Sequence, residues 1–132
     1  LKKGNKKVFY RKKINMLNTL NKDIAKIHFR NGFKSGLVQV NTLNFFLKKF
    51  HGSFKKIDLL KIDVEGYEDR ALKPFFEEAP ETLFPRNIVI EYTSQHEWED
   101  KDFINYLIKK GYRLKIRTRG NLCLSLNTNN PQ

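Results

Sequence analysis

Residues 61–66 read Lys-Ile-Asp-Val-Glu-Gly and set two carboxylates and a glycine directly behind an apolar run, Ile57 to Ile62. In open α/β sheets the ligand crevice lies beyond the carboxyl ends of the strands, so a strand that ends in acids aims them at that crevice. Residues 87–92, Asn-Ile-Val-Ile-Glu-Tyr, repeat the arrangement, with Glu91 near the end of a second apolar run and Tyr92 after it. Carboxylates so placed can hydrogen-bond a ligand, take a proton from it or hold a cation beside it. Asp63 is the first candidate for that work, then Glu65, then Glu91. His96, five residues past Glu91, is a candidate base or ligand-binding group, although a lone loop histidine beside acids also reads as a surface residue. Tyr92 and Trp98 could line a ligand pocket or simply pack. A structural reading of the same stretch stands alongside: Gly66 permits a tight turn, and Glu65 or Glu68 favours a helix N-terminus electrostatically. His28 and His51 have no metal-ligand spacing, and one cysteine gives no basis for a structural zinc site.

The elements that must position these residues alternate. Ile57 to Ile62 is so nearly continuous in apolar character that it predicts a strand buried on both faces, as in a parallel sheet. Gly66 breaks it. Residues 67–78 predict a helix with Ala71, Leu72, Phe75 and Phe76 on one face, which Pro74 should kink or end early. Asn87 to Tyr92 is a second strand, and residues 99–110 predict an amphipathic helix with Phe103, Ile104, Leu107 and Ile108 inward and Gly111 as its stop. Tyr112 to Arg117 and Leu122 to Leu126 alternate around Arg119-Gly120-Asn121 as an antiparallel hairpin. Strands separated by helices of this length mean parallel pairing, closed by one reversed strand.

The first part of the chain is less regular. Ile24 to Phe29 alternates apolar and polar and predicts a strand. Asn31-Gly32 reads as a turn, and Leu37 to Val40 as a short strand. Thr42 is a candidate N-cap for a helix over residues 43–50 with Leu43, Phe46, Leu47 and Phe50 on its apolar face, ended by Gly52-Ser53.

A chain of 132 residues suits one compact domain. With 11 Phe, 5 Tyr and 1 Trp it is too aromatic for a disordered tail. No apolar run is long enough for a transmembrane helix, and the basic N-terminus lacks the apolar core of a signal peptide. The lone Cys123 cannot form an internal disulfide, which makes a reducing, cytoplasmic setting the default and a buried, inert thiol the expected state. Charge is uneven: residues 1–56 hold 15 Lys/Arg against one acid, whereas residues 57–112 hold 7 against 13. The basic first part admits an anionic partner such as RNA. The blander reading, lysines that are simply solvated, fits the absence of any RNA-binding motif.

Val40-Asn41-Thr42-Leu43-Asn44, Asp58-Leu59-Leu60-Lys61-Ile62-Asp63-Val64-Glu65-Gly66 and Asn87 to Tyr92 together resemble the later motifs of the FkbM-type methyltransferases, over about residues 37–127. The resemblance implies a class I, Rossmann-like α/β sheet of order 3-2-1-4-5-7-6. The strand at Ile57 to Asp63 would be the fourth, Asn87 to Tyr92 the fifth and the hairpin strands six and seven. It also implies S-adenosylmethionine as cofactor and methyl transfer to a hydroxyl of a small molecule or sugar. The chain would then divide into a basic, partly strand-forming segment (residues 1–36), a partial methyltransferase-like sheet of parallel strands with a C-terminal antiparallel hairpin (37–127) and a tail (128–132). Two departures stand out. Asn44 occupies a position where the family prefers aspartate, and no Asp-x-Gly-x-x-x-Gly turn, the family's main cofactor cradle, is present. The opening Leu1, inside a lysine-rich stretch, reads as the start of a piece of a longer chain. A piece lacking the first strand should leave one edge of the fourth strand open to self-association.

Overall fold

The computed structural model describes residues 5–11, 20, 22–29, 32–50 and 56–127. Gly52-Ser53, Asn31 and most of the apolar island at residues 14–20 lie outside them. Two compact units divide at Asn41/Thr42.

The first unit pairs β1 (Asn5–Arg11) antiparallel with β2 (Lys34–Val40) in a continuous register from Asn5↔Val40 to Arg11↔Lys34. Between them runs α1 (Lys22–His28). The strand expected over Ile24 to Phe29 is therefore corrected to a helix. The buried residues are Ala25 and Phe29, four apart, and the backbone bond from Phe29 N–H to the Ala25 carbonyl spans the same interval. A six-residue alternation fits both periods, and tertiary burial selected the helical one.

The second unit carries the acids. Its α2 (Leu43–Phe50) begins where Thr42 predicts, with the Thr42 hydroxyl accepting the Phe45 N–H at 3.2 Å. The buried face differs from the expected one. Leu43 and Leu47 pack on the core and Asn44 is buried, while Phe46 is 40% exposed. Asn44 donates to a Glu78 carboxylate oxygen at 3.3 Å, so an amide rather than an acid suits this position opposite a glutamate.

A four-stranded sheet follows, in the order β3 (Leu59–Ile62), β4 (Asn87–Glu91), β6 (Asn121–Leu126), β5 (Tyr112–Arg117). β3 and β4 are parallel, and both pairs made by β6 are antiparallel. The fold is mixed α/β. Register puts Leu60, Ile88 and Leu124 in one row and Ile62, Ile90 and Leu122 in the next. That face joins a single core with Leu72, Phe75 and Phe76 of α3 (Glu68–Glu78) and Phe103 and Leu107 of α4 (Phe103–Lys109). Each fully buried large side chain here contributes roughly 1.5–3 kcal/mol. α3 runs through Pro74 to Glu78 without ending early. α4 is shorter than expected and leaves Ile108 47% exposed, with Gly111 at φ +96° completing its C-terminal turn.

β3 departs most from expectation. Among the described residues it pairs only with β4, at the sheet edge, and its side chains alternate between exposed and half-buried, Leu59 being 60% exposed. An apolar run without interruption predicts two covered faces, but here only the Leu60/Ile62 face meets the helices. Cys123 lies on the opposite face, half-buried rather than buried.

Candidate active site

Because β3 and β4 are parallel with Ile62 beside Ile90, the residues that follow each strand emerge at the same end of the sheet. β5 is antiparallel to β6, which is antiparallel to β4, so Arg117 and the β5–β6 turn arrive at that end too.

After β3 the chain turns sharply. Glu65 has φ +52° and Gly66 φ +88°, two consecutive left-handed residues, of which only the glycine adopts the conformation without steric cost. Glu65 is half-buried. Burial raises its carboxyl pKa, and the charges of Asp63, Glu91 and Glu68 push it the same way. These four acids therefore share one electrostatic neighbourhood. Asp63 is nearer to solvent and forms an ion pair with Lys61 at 3.1 Å.

Glu91 is buried at the end of β4, where its two oxygens accept the Thr93 N–H at 2.6 Å and the Ser94 N–H at 3.2 Å. Burial raises its pKa, and those two hydrogen bonds oppose the rise. Tyr92 packs edge-on to Trp98 at 5.9 Å and lies under the Arg117 guanidinium at 5.0 Å, and its N–H donates to the Gly120 carbonyl at 2.8 Å. His96 sits on a short 3-10 turn, Gln95–Glu97. Its imidazole is 68% exposed and 3.2 Å from the Glu97 carboxylate. The structure thus brings Asp63, Glu65, Glu91 and Tyr92 to one end of the sheet and leaves His96 pointing into solvent.

A fifth residue holds the site together. Glu68, fully buried at the first turn of α3, accepts the Val64 N–H at 2.9 Å with one oxygen and the Trp98 indole N–H at 2.8 Å with the other. It ties the turn after β3 to the loop after β4. Its only sequence signal was an acid in the first turn of a helix, which reads equally well as a dipole partner; the bond to Trp98, 30 positions away, has no local signature. Asp69 beside it is also buried and accepts the Asp100 N–H at 2.9 Å. Among the described residues no three His, Cys, Asp or Glu side chains are grouped so as to hold a metal ion.

A nucleoside cofactor with a methionine arm needs a backbone turn it can approach closely. The turn after β3 has the required glycine, but Glu68 already occupies its Val64 N–H. The strand-to-helix entry from β4 into α4, residues 92–102, contains no glycine. The described residues therefore do not by themselves fit a complete cradle for such a cofactor.

A family model described as a methyltransferase FkbM domain matches residues 3–114. No curated protein and no solved structure matches the chain.

Proposed function

The chain belongs to the FkbM methyltransferase family, and on that premise we propose that its acids handle the hydroxyl acceptor in an S-adenosylmethionine-dependent O-methyl transfer to a small molecule or sugar. The observation that carries this reading is the convergence of Asp63, Glu65 and Glu91 beyond the carboxyl ends of two parallel strands. The order β3-β4-β6-β5 coincides with the 4-5-7-6 half of a class I methyltransferase sheet, which supports the Rossmann-like assignment.

Roles follow from environment. Asp63, partly exposed and balanced by Lys61, suits the acceptor-orienting position, where a charged oxygen can accept a hydroxyl hydrogen bond. Glu65, with its pKa raised by burial and by neighbouring acids, is the stronger proton acceptor when ionised. Glu91 has both oxygens engaged by backbone N–H groups, so it fixes the loop and adds negative potential. Half-buried Tyr92 lines the acceptor side. S-adenosylmethionine would supply the reactive methyl group when bound; these residues would position the acceptor and take up its proton.

Incubation with methyl-labelled S-adenosylmethionine and a panel of sugars and small alcohols tests this. The expected product carries base-stable label, an ether, at high cofactor concentration, while calorimetry gives weak cofactor affinity. Base-labile label, an ester, would assign the acceptor as a carboxylate instead. Tight cofactor binding would show that a cradle exists which these residues do not reveal.

A further inference from the structure

β5 contains a bulge whose effect on side-chain direction is specific. Tyr112 pairs with Leu126 and Leu114 with Leu124, but the next partners are Ile116 with Cys123 and Arg117 with Leu122, leaving Lys115 unpaired. Opposed residues share a face of the sheet, so the extra residue inverts the alternation. Arg117 is turned onto the face that holds Leu122, Leu124 and Tyr112. Ile116 is turned onto the opposite face, where it is 58% exposed. Without the bulge the isoleucine would face the core side and the arginine would face away.

The re-aimed Arg117 lies over the Tyr92 ring at 5.0 Å, one residue beyond Glu91. Stacking on an aromatic face holds the guanidinium while leaving its N–H donors in the plane of the group. Among the described residues no carboxylate forms an ion pair with it. The turn that follows is internally fixed, with the Thr118 hydroxyl accepting the Asn121 N–H at 2.9 Å and Gly120 bonded to Tyr92. A guanidinium held over Tyr92, with no ion-pair partner among the described residues, therefore stands at the same end of the sheet as the acids.

Resting on the acceptor site described above, we propose that Arg117, stacked on Tyr92, binds an oxyanion of the acceptor, a carboxylate or a phosphate ester, and so selects anionic over neutral hydroxyl compounds. Guanidinium and oxyanion meet through paired charge-assisted hydrogen bonds. Asp63 and Glu65, which follow β3, then meet the acceptor's hydroxyl and the arginine its charged end.

The test is an NMR titration of the full chain at physiological chloride with glucuronate, with inorganic phosphate and with glucose, reading the Arg117 side-chain N–H and the Tyr92 and Gly120 amides. Saturable shifts are expected with glucuronate or with phosphate, and the stronger of the two identifies which oxyanion is preferred; glucose should cause none. Arg117→Gln should weaken the anion roughly tenfold or more. Lys115→Gln, which removes an exposed cation from the same strand, should leave it unchanged. Equal weakening by both substitutions would mean general attraction to a basic chain and would overturn the proposal, as would shifts equal for glucose and glucuronate. Binding is read without methyl transfer, so a failure of transfer with Arg117-dependent binding intact would count against the enzymatic reading and not against this site.

Discussion

Glu68→Ala should destabilise the chain by about 2–4 kcal/mol, because it orphans one buried donor, costing roughly 1–3 kcal/mol, removes the acceptor of a second, part-buried one and leaves a cavity besides. The donors are the Val64 N–H and the Trp98 indole. That loss is a large share of the roughly 5–15 kcal/mol typical of a small protein, so thermal unfolding should move down by something on the order of ten degrees or more. Glu68→Gln keeps one acceptor oxygen and should lose roughly half as much. The pattern to look for in thermal and urea melts is Ala well below Gln, with Trp98 fluorescence altered in both. A Glu68→Ala chain that melts like the wild type would mean that the link between the two loops is not formed in solution.

Glu65 is expected to show the opposite relation between stability and activity. Its raised pKa means that the folded chain holds this proton more tightly than the unfolded chain does. The stability contributed by that preference is fully present below the ordinary glutamate value, about 4.3, and is lost as pH rises through the elevated folded value. Glu65→Gln removes the dependence, so the variant should be no less stable than wild type at neutral pH and should show a flatter stability profile across that window. Glu65→Gly also relieves the left-handed backbone at φ +52° and should add about 1 kcal/mol. In both variants methyl transfer should fall by about 10²–10⁴-fold, the usual contribution of a positioned base. Stabilisation together with lost transfer would be the mark of a strained, charge-crowded residue held there for chemistry. Unchanged transfer in Glu65→Gln would give it a purely conformational role.

Much of this arrangement was legible in the sequence, and for definite reasons. Strand positions at Ile57–Ile62 and Asn87–Tyr92, the terminal hairpin and the Thr42 cap are local signals, carried by alternation, turn residues and capping chemistry. Asp63, Glu65 and Glu91 could be placed at one sheet end because β-α-β connectivity enforces parallel pairing. What could not be read is long-range or two-valued. Ile24–Phe29 satisfies strand and helix periods alike. β3 has the composition of a strand covered on both faces, yet nothing in its own residues reports how many neighbours it has. The Glu68–Trp98 bond and the bulge that turns Arg117 onto Tyr92 depend on partners far along the chain. Both lie in the region where the acids converge, and both are departures from what local pattern alone would choose.

The most direct test of the account is how Asp63→Asn divides its effect between turnover and cofactor affinity. Asparagine keeps the shape of the side chain and removes the charge proposed to orient the acceptor hydroxyl. With label transfer and calorimetry on the same preparation, kcat should fall by about 100-fold or more while the Kd for S-adenosylmethionine stays within about twofold, a difference below about 1 kcal/mol. Equal losses in kcat and affinity, or no loss in either, would contradict the assignment of Asp63 to the acceptor.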